Sequence, residues 1–152
     1  PMAEYIGPVV DAVLAALEAR LPATLPVDQE PILEFGRQFP GVVINMPAVY
    51  VMPRRTTFDP DAQGLEIMAH EIQIVLAISG SEPGQVTDAA VTYVRAVHQA
   101  IAAADAAREI SVDGAQVNRV YVAGHDYGAL LSKDGLKVRF PEIDLVVEVA
   151  EP

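Results

Sequence analysis

Between Leu65 and Ser79 the chain reads LEIMAHEIQIVLAIS, and Ile72, Ile74, Leu76 and Ile78 fall on alternate positions. A period of two marks a strand, whose successive side chains point to opposite faces. Fifteen residues at a rise of ~3.4 Å would extend about 50 Å, far beyond the ~5 to 6 residues of an ordinary strand. Part of such a segment is expected to leave the core, with His70 and Glu71 on its outer reach. Toward Ser79, Val75 and Ala77 make the second face apolar as well, so this half is expected to be covered on both sides.

The preceding segment, PAVYVMPRRTTF, is rich in β-branched and aromatic residues, and Asp59 to Gly64 (DPDAQG) supplies turn residues between the two. The pair reads as a long hairpin. ILEFG and GVVIN, punctuated by Gly36, Pro40 and Pro47, read as short strands near a sheet edge. Ile6, Val9, Val10, Val13, Leu14, Leu17 and Leu21 recur at helical spacing and predict an amphipathic first helix, stopped by Pro22 and Pro26. Ser81, Glu82 and Pro83 open a second helix with a capping hydroxyl, an acid and a proline that has no donor to lose. Val86, Ala90, Tyr93, Val94, Val97, Ile101 and Ala104 trace its buried face, and Asp88, Arg95 and Gln99 lie outside it. Alternation returns in QVNRVYVAGHDYG and EIDLVVEVAE, a terminal antiparallel pair with a reversal signal at Asp134 and Gly135. The order predicts an α+β fold in a single domain over residues 1–152. It has a mostly antiparallel sheet, two main helices packed on one face and a long protruding β-hairpin.

A chain of 152 residues buries a core without metal or disulfide support. Ten basic against 21 acidic residues leave a formal net charge of −11, which repels nucleic acid phosphates and anionic lipid and argues against DNA or RNA readers. Cysteine is absent, which removes thiolate nucleophiles and Cys-based metal sites. Hydrophobic residues make up 51% and mean hydropathy is +0.27, yet no apolar run approaches the ~18 residues of a membrane span. The excess apolar surface is therefore expected in protein contacts, with no membrane partner. Pro1 before Met2 reads as a scar of tag cleavage, and no signal-peptide pattern follows, so a cytoplasmic product is expected.

Chemistry-bearing residues are few. On a strand His70 and Glu71 point to opposite faces, and an HExxH zinc motif would need histidine where Ile74 stands. His125 and Asp126 in AGHDYG sit where loop residues can be catalytic, but no serine in a nucleophile-elbow setting accompanies them. His70, His98 and His125 are scattered along the chain and would form a zinc site only by converging in the fold. GSEPGQ lacks the lysine of a P-loop and the GxG of a dinucleotide fingerprint. No catalytic residue, cofactor or metal ligand is assigned, and the chain is not expected to be an enzyme. Arg54 and Arg55, with Asp59 and Asp61 beyond them, read either as a solvated, charge-mixed hairpin tip or as an inter-subunit salt-bridge zone.

Several stretches together carry a resemblance: VVDAVLAALEARLPATLPVD, then FPGVVINM, the long strand HEIQIVLAIS, VTYVRAVHQAI, and the closing GHDYG and LKVRFPEIDLVVEV. Their order and hydrophobic texture resemble the tail terminator and tail completion proteins of long-tailed bacteriophages. The resemblance implies a homo-oligomeric ring, usually a hexamer, that caps the tail tube and ends its polymerisation. That ring would join tail to head in a virion assembled in the host cytoplasm. Its implied partners are the tail tube protein and a head completion or neck protein, with DNA passing through the lumen without specific binding; the acidic balance of this chain would suit a lumen lined by carboxylates. Val49, Tyr50, Val51, Met52, Arg54, Arg55, Asp59, Asp61 and His70 are the candidate subunit-interface residues. Alternatives are another neck component, a small hydrolase using His125 and Asp126, and a binding module whose sheet edge accepts a peptide strand.

Overall fold

The computed structural model describes residues 6–43, 45–59 and 66–151. Its elements run α1 (Ile6–Thr24), β1 (Glu34–Gly36), β2 (Ala48–Asp59), β3 (Glu66–Gly80), α2 (Pro83–Ala106), β4 (Gln116–Asp126), β5 (Leu131–Lys133), β6 (Leu136–Arg139) and β7 (Glu142–Glu151). The α+β class holds, with two helices on one face of a mixed, mostly antiparallel sheet of seven strands. Among the described residues only the β1–β2 pair is parallel.

The alternation of β3 sets the layers. Val51 of β2 lies opposite Ile74, and Ile74 in turn lies opposite Ile143 of β7. The side chains on this face, Val49, Val51, Ile72, Ile74, Leu76, Ile78, Ile143, Leu145, Val147 and Val149, are buried in one cluster with Val9, Val13 and Leu17 of α1 and Val86, Ala90, Val94 and Val97 of α2. Each such aliphatic side chain taken from water contributes about 1.5–3 kcal/mol. The other face near Gly80 is covered, as its sequence requires: Ala48, Tyr50 and Ala77 pack beneath Val43, Met46 and Phe140. Phe39 stacks edge-on to both Tyr50 and Phe140.

Five local expectations change. Pro22 does not stop α1, which continues to Thr24; Thr24 Oγ1 then donates to the Ala96 carbonyl of α2 and holds the helix end there. Ser81 is not the cap of α2: Glu82 occupies that position without a side-chain bond, and Pro83 follows at the start of the helix. GVVIN is not a strand in its described residues, since Val43 serves as cover for the sheet. The Asp134–Gly135 reversal, both residues at positive φ, turns the small β5–β6 hairpin inserted between β4 and β7. Finally, the long β2–β3 hairpin is present, but β7 accompanies β3 from Glu66 to Val75, so this outer half is a sheet interior. That is why Met68 and His70 are fully buried where an exposed reach was expected.

Truncating Ile74, at the middle of this three-strand centre, should cost about 2–5 kcal/mol through lost burial and a residual cavity. Urea unfolding of Ile74→Ala should show a lower midpoint at an unchanged slope, the product of slope and shift equalling that cost.

Candidate functional site

The nine interface candidates separate by face. Val49, Tyr50, Val51 and His70 are all at most 1% exposed, inside this chain's own core. They present no surface to a second copy. Met52, Arg54 and Arg55 lie on the sheet face away from the helices or at its irregularity, where the β2–β3 register shifts between Pro53 and Arg55. Arg55 Nε donates to Glu71 Oε2 of β3 at 2.5 Å, and Arg54 Nη1 reaches Asp144 Oδ1 of β7 at 3.1 Å. Both arginines are more than half exposed, so these pairs order the surface and contribute little to stability. Asp59 ends β2, its side chain outside the described residues, as is Asp61.

His70 is an unusual core residue. Its Nδ1 is 2.9 Å from Thr56 Oγ1, and its Nε2 has no partner among the described residues. Burial holds its imidazole below the ordinary value, in the neutral form. Its direct cross-strand neighbours are Thr56 and Val147, neither of which ionises. Two other titrating side chains are fastened by their hydroxyls. Burial pushes Tyr50 up to about 12, with its hydroxyl donating to Glu34. Burial likewise pushes Tyr93, which donates to the Glu30 carbonyl, up to about 12.

The histidines are not all scattered. His98 on α2 and His125 near the end of β4 meet, Nε2 to Nδ1 at 3.2 Å, and His125 Nε2 is 3.1 Å from Tyr127 Oη. His70 lies in the core, away from this chain of bonds. Desolvation first, and the neighbouring His125 second, hold His98 below its ordinary value. Sequence spacing could not show this pairing, because 27 residues and a change from helix to strand separate the two rings. The proposed His125–Asp126 pair is not joined: Asp126 Oδ1 accepts from the Gly128 amide at 2.6 Å and shapes the turn. Gly128 has φ +73, and a Cβ there would meet the Phe140 carbonyl oxygen at 2.8 Å. Arg139 Nη1 donates to the Gly128 carbonyl and fixes the same turn. Among the described residues no three His, Cys, Asp or Glu side chains group as a metal site, and no helix is long and apolar enough to cross a membrane.

No protein-family model and no curated protein matches the chain. A solved structure entitled "Virion of native gene transfer agent (GTA) particle" is similar over 90% of this chain and 97% of that one, at 15% identity and a TM-score of 0.47. At that identity and score the likeness carries no argument about this protein's role.

Two outcomes are expected. Because His70 resists protonation in the fold, the unfolded chain binds more protons once the pH drops below about 6.5, and stability should fall in that direction. His70→Leu combined with Thr56→Val should flatten this fall in urea midpoints between pH 7.5 and 5.5. It should do so with no loss at pH 7.5, since an orphaned buried nitrogen costs about 1–3 kcal/mol. Gly128→Ala, forced into a left-handed conformation against a carbonyl, should cost about 2 kcal/mol or more in thermal unfolding.

Proposed function

We propose that this protein is a structural virion subunit, non-enzymatic, that forms a ring at the head-proximal end of a phage-like tail. In this reading the ring caps the tail tube, ends its polymerisation and offers its other side to a neck protein. The sequence resemblance to tail terminators motivates the reading, and one observation of the surface supports it. Exposed apolar side chains stand at opposite ends of β3. Phe58, opposite Met68 at the start of the strand, is 55% exposed. Leu131 and Leu136 of the β5–β6 hairpin, which pairs with the far end of β3, are 50% and 46% exposed.

Two unlike apolar patches at opposite ends of one rigid strand suit a head-to-tail contact, in which one patch meets a different patch on the next copy and the rotation closes a ring. Two like patches would instead favour a two-fold dimer. Arg54, Arg55 and Met52 lie on the open sheet face, where a neighbouring copy or the tube could lie over them. The net charge of −11 lets DNA pass a central channel without adhering. A neck component that joins head to tail is the second reading, and it shares the same ring geometry.

Light scattering across concentration should give a mass near six times the 16.2 kDa chain. Phe58→Asp, or Leu131→Asp with Leu136→Asp, should reduce it to a single chain with unchanged circular dichroism. A wild-type monomer at every concentration, and equally in the presence of purified tail tubes, would overturn the ring. Capping of tubes rather than binding to portal-bearing heads would separate the terminator from the neck reading.

A further inference from the structure

Two imidazoles from different elements converge on the surface where α2 packs over β4. His98 Nε2 and His125 Nδ1 are 3.2 Å apart, with ring planes at 88° and centroids 5.1 Å apart. Two nitrogens that each bind a zinc ion at ~2.0–2.1 Å in tetrahedral geometry stand about 3.3 Å from one another. We propose that His98 and His125 form a two-imidazole site for a divalent transition metal ion of the class that favours imidazole nitrogen: Zn²⁺, Ni²⁺ or Cu²⁺.

Both donors stand on regular elements. His98 lies within α2, with the buried Val97 beside it in sequence, and His125 is paired with Ile143 in the β4–β7 ladder. Neither ring has to be recruited from a loose loop, which limits the ordering cost of binding. The outer nitrogen of His125 already has the partner such a ligand needs, Tyr127 Oη at 3.1 Å, which fixes ring orientation and tautomer. One consistent arrangement of the bonded chain has His98 Nε2–H donating to His125 Nδ1, and His125 Nε2–H donating to Tyr127 Oη. Metal binding keeps the second bond and requires of His98 only its other neutral tautomer, so no net proton is released. Both rings open on a surface depression of ≈ 260 Å³, also lined by Val91, Val94 and Arg95. The Arg95 charge opposes a cation, so the ion would be held by the two nitrogen donors and not by a negative local field. Its remaining positions go to water or to a neighbouring copy.

Titration calorimetry of the tag-free full chain with Zn²⁺ at pH 7.5 should give one ion per chain, and Mg²⁺ should give no signal. His98→Ala and His125→Ala should each weaken Zn²⁺ binding at least tenfold. In the unmutated protein, nitrogen-resolved imidazole spectra should place the Zn²⁺-induced shifts on His98 Nε2 and His125 Nδ1, with His98 Nδ1 following through its change of tautomer and His70 unmoved. Absence of Zn²⁺ binding, an affinity unchanged by both substitutions, or a shift at only one of the two nitrogens would overturn the site and leave a neutral hydrogen-bonded pair.

Discussion

Everything else in this molecule is arranged around a strand that is hydrogen-bonded on both edges and, His70 aside, apolar on one face from Met68 to Ile78. β3 takes β2 along one edge and, along the other, β7 and then β6. Its backbone groups are therefore satisfied by neighbours, which lets Met68 through Ile78 lie in the interior without an unpaired main-chain ladder. The helices add cover, since a sheet with one apolar face requires a second layer. The Arg20–Glu109 pair, bidentate at 2.8 and 2.7 Å, joins the end of α1 to the segment after α2 at the edge of that layer. Glu109 is held below the ordinary carboxylate range by this bond.

Much of this was readable in the residues. The periodicity of β3, the buried stripe of α2 and the double cover of Val75 and Ala77 follow from spacing alone, because side-chain direction repeats with the backbone. What escaped was what depends on distant partners. His70 reads as part of an outer reach beyond the core until β7, far along the chain, is laid beside it. Pro22 reads as a stop because proline lacks a donor, yet α1 runs two residues past it without the bond to the Glu18 carbonyl, and Thr24 anchors the last turn to α2. Val43 belongs to the short β-branched run of GVVIN, yet it packs over Tyr50.

The candidate site shows the same division. Val49, Tyr50 and Val51 were marked for an interface by their place on an overlong hairpin, but the helices cover Val49 and Val51, and Val43, Met46 and Phe140 cover Tyr50. Arg54 and Arg55 are on the surface, each engaged with a carboxylate of this same chain. The His98–His125 pair carried no sequence signal. Its two members lie on a helix and a strand with unrelated periods, and only the packing of α2 over β4 brings them together.

The double flanking of β3 has a further consequence, for how the chain comes together in time. β2 and β3 are neighbours in sequence and can pair as soon as both exist, but β7 comes only after α2, β4, β5 and β6. Until it docks, the Glu66–Val75 stretch of one edge of this largely apolar strand has nothing to bond to. Such an edge is the surface on which unfinished chains adhere to one another. Many copies made close together would meet at that edge while incomplete. Closing β7 onto β3 is therefore the step that commits a subunit to its own fold.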